Sequence, residues 1–248
     1  MKRILLWVVC LLILVPLGFL GYIYYEITKE TSERISRGAI DQVINSESPV
    51  YYSDGQTPIG VFFEKTHSKY IDYDHIPKTF IKALIASEDK NFFDHWGFDP
   101  KSIVRAFIAN VRSGRVVQGG STLTQQTAKN VFQREKRSYQ AKILEMFQAF
   151  LLEREYNKEE ILEMYTNQFF VNGYGKGLRI AAQYFFDKDP KDLNLVEAAF
   201  IVGSVKGPNR YNPFIKNTHT EKEAAKRLAK ARKDYVLDKM LEQNYIST

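Results

Sequence analysis

Glu88 lies near the end of a helical stretch expected from Pro77 to about Asp89, and its place there points to proton chemistry. With Phe80 at 0° and steps of ~100° per residue, Leu84 falls at ~40°, Ile81 at ~100° and Ile85 at ~140°. Glu88 falls at ~80°, inside that apolar stripe, while Asp89 at ~180° and Lys82 at ~200° lie on its outer flank. Burial favours the neutral form of a carboxyl, and so does the C-terminal end of a helix dipole. Such a group can act as a general base near neutral pH; a helix that stops early would leave it solvated instead.

A second set starts at Gly119-Gly120-Ser121-Thr122-Leu123-Thr124-Gln125-Gln126. Two glycines permit close backbone approach, and the hydroxyls and amides after them suit a hydroxyl-rich ligand such as a sugar, or a phosphate on the backbone N–H groups. A polar loop in which Ser121 or Thr122 caps the next helix explains the same residues. Around it the charge is lopsided. Residues 101–142 hold nine cations (Lys101, Arg105, Arg112, Arg115, Lys129, Arg134, Lys136, Arg137 and Lys142) against one acid, Glu135, a net +8 that exceeds the +6 of the whole chain. Interleaved with Ile103, Phe107, Ile108, Val111, Val116 and Val117, these cations suit anionic lipid headgroups; a solvated basic face is the plainer alternative. Nucleic acid is not expected, since no recognised nucleic-acid module accompanies the charge.

A third set lies on the helix expected from about Tyr139 to Glu155. With Lys142 at 0°, Glu145 falls at ~300°, Ala149 at ~340° and Glu153 at ~20°, whereas Ile143, Phe147, Phe150 and Leu151 fall between ~80° and ~180°. Lys142 and Glu145 therefore share what reads as the polar face, where an i,i+3 surface ion pair is the common outcome.

Helices must position these groups. From Ile76 onward nearly everything reads helical: Pro77 can open a helix, Asn157 to Glu160 resembles a capping box, and Gly/Asn/Pro clusters at 172–177 and 207–213 break the segments. Before that, Val50-Tyr51-Tyr52 and Ile59 to Phe63 flank Asp54-Gly55, a strong hairpin signal. Residues 26–48 are polar and mixed in charge and read as a stalk. Ile4 to Tyr25 is a 22-residue run without a charged side chain. At ~1.5 Å per residue it reaches ~33 Å, enough for one transmembrane helix, and Lys2 and Arg3 before it place the N-terminus in the cytoplasm. The expected division is therefore 1–25 cytoplasmic tip and anchor, 26–75 stalk and hairpin, and 76–248 the functional domain. One Cys excludes an intramolecular disulfide, and four scattered His give no zinc-binding spacing.

Taken together, Glu88-Asp-Lys-Asn-Phe-Phe-Asp-His95-Trp-Gly97, Gly119 to Asn130, and Lys142-Ile-Leu-Glu145 resemble the first three motifs of the peptidoglycan glycosyltransferases. These transglycosylases occur as monofunctional enzymes and as the N-terminal domain of bifunctional penicillin-binding proteins. Lys158 to Asn167 with Gly173 looks like the fourth motif, and Arg232 to Leu237 like the fifth. The resemblance covers about 76–240.

That resemblance implies a mainly α, lysozyme-like domain with a small N-terminal β-hairpin, anchored by one transmembrane helix on the outer face of the bacterial cytoplasmic membrane. It implies polymerisation of lipid II with inversion, undecaprenyl diphosphate leaving. Glu88 and Glu145 are the implied catalytic carboxylates, with Glu88 the base. Lys129, Arg137 and Lys142 would stabilise the diphosphate, where Glu145 orients the cations or supports a divalent ion such as Mg or Mn. Asp89, Ser121, Thr122, Gln125, Gln126 and Asn130 would line the substrate cleft, and Arg232 would support it. Lipid II, the nascent glycan strand, membrane lipid and other cell-wall synthesis or division proteins are the implied partners. Two positions depart from the pattern: Ala141 stands where the third motif usually has Arg, and Thr166 where the fourth usually has Leu. A lysozyme-like muramidase and a non-catalytic anchored scaffold are the rival expectations; the +8 stretch disfavours the first and the paired carboxylates the second.

Overall fold

The computed structural model describes residues 2–44, 47–51, 53, 58–63, 67–115, 117–132, 138–172 and 175–247. α1 (Lys2–Ile35) and α2 (Arg37–Ile44) lead into β1 (Glu47–Tyr51) and β2 (Pro58–Phe63). These strands pair antiparallel, with Glu47 opposite Phe63 and Val50 opposite Gly60, as the expected hairpin requires. The Asp54-Gly55 turn itself lies outside the described residues. Then come β3 (His67–Ser68), α3 (Lys78–Glu88), α4 (Pro100–Ser113), α5 (Leu123–Val131), α6 (Tyr139–Glu155) and α7 (Lys158–Gln168). The chain continues through β4 (Phe170–Asn172), β5 (Gly175–Lys176), α8 (Gly177–Phe186), α9 (Leu195–Val205), α10 (Pro208–Tyr211) and α11 (His219–Glu242).

The molecule is mainly α-helical, as expected, and its helices start where side chains can satisfy their first N–H groups. Thr122 with Gln125, Asn157 with Glu160, Asn194 with Glu197 and Thr218 with Glu221 form reciprocal capping boxes on α5, α7, α9 and α11. Asp99 caps α4, where Pro100 supplies a preset φ, and Gly114 ends that helix in the left-handed region at φ 63°. α9 is the central strut. It carries the buried Ala198, Ala199, Ile201 and Val202 and packs against both α3 and α11, while α5 packs between α6 and α7. Phe80, Leu84, Leu123, Leu152, Ile161, Tyr165 and Phe169 fill the shared core; each buried side chain of this size stabilises the fold by about 1.5–3 kcal/mol.

Three features were not anticipated from the sequence. A three-stranded sheet in the order β3-β5-β4 joins His67–Ser68, in parallel, to Gly175–Lys176. The segment read as a stalk packs on the body through Ile35 and Ile40, both buried, and Tyr156 donates its hydroxyl to the Ile35 carbonyl at 2.7 Å. The division of α6 into faces also holds only in part, with Leu151 buried and Lys142 exposed as read. Glu145 and Ala149 are buried and Ile143 is 48% exposed, because the side that reads as polar meets α5 and finds polar partners there.

α1 is a continuous helix of 34 residues whose C-terminal part packs on α6. Among the described residues no helix is long and apolar enough to cross a membrane. Many side chains of the Ile4–Tyr25 run lie outside those residues; Trp7, Leu11, Leu14, Val15, Leu17, Phe19, Tyr22 and Tyr25 are described, and all are exposed.

Candidate active site

α3 ends at Glu88, so its last side chain emerges where α5, α7 and α11 converge. Arg232, from the middle of α11, donates Nη2 to Glu88 Oε1 at 2.7 Å, and Gln126 on α5 brings Nε2 to 3.4 Å from Oε2. Behind Gln126, the Tyr165 hydroxyl of α7 donates to its Oε1 at 3.5 Å. The Glu88 and Arg232 side chains are 15% and 11% exposed, a recessed carboxylate that still reaches solvent. The guanidinium lies 4.4 Å from the Tyr235 ring centroid, and its buried Nε has no hydrogen-bond partner. Burial, and then the Glu88 charge, push the Tyr165 hydroxyl well above its ordinary pKa, so it stays a proton donor.

A second cluster forms at the other end of the same turn of α5. Ser121 precedes the helix cap and accepts from Lys142 Nζ at 2.7 Å, while the same ammonium donates to Glu145. Glu145 is buried and Lys142 partly open, so the pair presents a cation backed by a fixed carboxylate. From the cap at Thr122 to Gln126, α5 rises by about 6 Å, which sets the scale between the clusters.

A buried network supports both from behind. Asp89 Oδ2 accepts from Leu123 N at 2.8 Å and lies 2.9 Å from His95 Nε2. Glu153 Oε1 accepts from Thr124 Oγ1 at 2.5 Å and from Lys158 Nζ at 2.6 Å, and Lys158 also donates to the His95 carbonyl at 2.6 Å. Gly97, at φ +89°, closes the loop onto α6, and its carbonyl accepts from Thr122 Oγ1 at 2.6 Å.

The expected site residues therefore divide into groups. Glu88, Gln126 and Arg232 come together, as do Ser121, Lys142 and Glu145. Thr122 and Gln125 face inward as the capping box of α5, each 2% exposed, so the helix-capping alternative describes them. Asp89 also faces inward instead of lining a cleft. The helical wheel fails there because Asp89 leaves the helix at φ −155°, which swings its carboxylate under α5. Lys129 is exposed on the last turn of α5 and Asn130 half-buried beside it. Arg137 lies outside the described residues, as do Arg134 and Lys136. Tyr165, Glu153, Lys158 and Thr124 join the site without having been assigned a role; Tyr165, Lys158 and Thr124 lie within motifs of the resemblance, and Glu153 was marked only by its place on the polar face of α6.

These converging elements belong to a known class of domain. Residues 55–241 match the family described as Transglycosylase, and the chain belongs to that family. Its relatives include penicillin-binding protein 1A of Aquifex aeolicus, 44% identical over 178 residues, covering 72% of this chain and 23% of that protein. Penicillin-binding protein 1A of Neisseria flavescens is 40% identical over 198 residues (80% of this chain, 23% of that protein). The Pseudomonas aeruginosa protein of the same name is 36% identical over 244 residues, 97% of this chain and 28% of that one. The chain thus spans about a quarter of the length of the curated relatives it matches. Among solved structures, penicillin-binding protein 1A from Haemophilus influenzae matches 82% of this chain and 19% of its own, at 22% identity and TM-score 0.43, too weak to carry an argument.

Proposed function

We propose that the protein is a peptidoglycan glycosyltransferase that polymerises lipid II into glycan strands on a lysozyme-like scaffold. Glu88 takes the proton from the 4-hydroxyl of the acceptor's GlcNAc, whose oxygen then attacks the anomeric carbon of the donor MurNAc. The new glycosidic bond forms with inversion as the bond to the diphosphate breaks, and undecaprenyl diphosphate leaves with the electron pair. Arg232 and Gln126 hold the Glu88 carboxylate in one orientation, which is the positioning a general base needs. Lys142, steadied by Glu145 and Ser121, neutralises the charge that develops on the leaving diphosphate, with Lys129 and Arg137 as further cations. Among the described residues no group of three or more His, Cys, Asp or Glu could hold a metal ion, and Glu145 is engaged by an ammonium, so these residues do not fit the divalent ion that the resemblance left open.

The observation that carries this reading is that α5 joins the two clusters: a recessed, Arg-paired Glu88 at one level and a Lys142–Glu145 pair at the other. The uncharged run Ile4–Tyr25, preceded by Lys2 and Arg3, supports a single-pass anchor with the N-terminus cytoplasmic and the helical body on the outer side, where lipid II and the glycan strand would meet it.

The test is polymerisation of purified lipid II by the full chain in vesicles. Glu88→Gln keeps the shape and removes the base, and should lower chain formation about 10²-fold or more. Near-normal glycan strands from Glu88→Gln would overturn the assignment. Soluble muropeptides released from purified murein by the wild type would replace synthesis with lysis. Retention in the membrane fraction after alkaline extraction checks the anchor.

A further inference from the structure

The pair Glu153–Lys158 lies away from Glu88 and holds no substrate-facing atom in the reading above, yet it ties together α5, α6, α7 and the segment from Phe92 to His95. Lys158, the first residue of α7, donates to Glu153 on α6 and to the His95 carbonyl, and its ammonium lies 4.6 Å from the Phe92 ring centroid. Glu153 accepts the Thr124 hydroxyl at the second residue of α5. One residue earlier, Leu123 N is fixed by Asp89, the residue after Glu88. The first two residues of α5 are thus pinned from two sides, by Glu153 and by Asp89. A helix pinned at its first turn has its rotation set, and that rotation decides that Gln126 faces Glu88 and that Ser121 meets Lys142.

We propose that Glu153 and Lys158 are positioning residues for the transfer: their ion pair sets the rotation of α5 and thereby aligns the base with the diphosphate-facing cation. The proposal rests on the glycosyltransferase reading. A displacement of about 1 Å at reacting groups costs on the order of 10²-fold in rate, so the pair acts on turnover more than on substrate capture. Its side chains are only 8% and 20% exposed, and removing one partner leaves the other charge buried and uncompensated.

The experiment compares Lys158→Met, Lys158→Arg, the charge-free double variant Glu153→Gln/Lys158→Met, and Glu223→Gln, which alters an exposed ion pair near the start of α11. Each full chain is assayed with lipid II for kcat and KM, melted, and followed by amide hydrogen exchange at residues 121–126 without substrate. Lys158→Met should lower kcat about tenfold or more with KM within about twofold, and exchange at 121–126 should quicken. Lys158→Arg should recover most of kcat, and Glu223→Gln should match the wild type. If Lys158→Met folds poorly, the double variant, which buries no lone charge, carries the same kinetic comparison. Unchanged kcat, or a loss that follows Tm and that Arg does not restore, overturns the proposal. An inactive wild type whose exchange at 121–126 still responds to Lys158→Met overturns the glycosyltransferase reading and leaves the pinning of α5 standing.

Discussion

Gly203 on α9 lies directly against Arg232 on α11: a Cβ at residue 203 would come within 3.1 Å of Arg232 Cγ and 3.3 Å of its carbonyl carbon. The absence of a side chain at one position therefore fixes how closely the two helices approach, and with it the reach of the guanidinium to Glu88. Gly203→Ala should push α11 outward, cost about 1–3 kcal/mol and lower lipid II polymerisation. Urea denaturation measures the first effect and the polymerisation assay the second; a variant with wild-type stability and rate would mean that the contact relaxes without moving Arg232.

Tyr165 gives the protein an alkaline limit. Burial, followed by the Glu88 charge, raises its hydroxyl well above 10 in the folded state. Below pH 10 both folded and unfolded chains keep the proton; above it the unfolded chain releases it first, so folding stability falls as pH rises. Tyr165→Phe should remove up to about 1.4 kcal/mol per pH unit from that fall between pH 10 and 11, read from urea unfolding at several pH values. An identical slope in both proteins would show that Tyr165 ionises freely.

Asp99 sets the opposite limit. Burial alone would raise its carboxyl, but hydrogen bonds from Ser102 and Asn91 and from the N–H groups of Ser102 and Lys101 hold it at about 2. The stability it contributes is full above about pH 4 and is lost as pH falls towards 2. Asp99→Ala should cost about 1–3 kcal/mol at neutral pH and flatten that acid transition, with α4 loosening at its first turn. Thermal melts of both proteins from pH 6 to pH 2 provide the check.

Gly97 should tolerate no side chain. Its φ of +89° disfavours an L residue, and a Cβ there would lie 2.8 Å from the backbone of Ala149 and Phe150. Gly97→Ala is expected to cost about 2–4 kcal/mol and to displace the carbonyl that accepts from Thr122. Faster proteolysis between residues 92 and 122 would locate the damage; cleavage at the wild-type rate would refute it.

What could be read in advance depended on period and on local capping. The inward aim of Glu88, the helical body, the box at Asn157 and a cap at Ser121 or Thr122 follow from spacings within one or two turns. Asp89 was misplaced because a wheel assumes a helix that has already ended. Glu145 of α6 was taken for a surface group because its ion pair with Lys142 and the contacts of Lys142 and Glu153 with Ser121 and Thr124 across α5 are partners that a helical wheel does not reveal. The β3–β5 pairing and the Arg232–Glu88 contact join residues far apart in sequence, and only the assembled core brings them together.

Asn167 links the beginning of the body to its middle. Its carboxamide bonds both the N–H and the carbonyl of Ile71, 96 residues earlier, while it remains only 2% exposed. During synthesis, the two Ile71 hydrogen bonds to Asn167 cannot form until α7 has emerged, so this contact closes one of the longer loops in the protein. Any shortened version that begins after Ile71 would strand a buried amide with its hydrogen bonds unmade, so a stable fragment must begin at or before that residue.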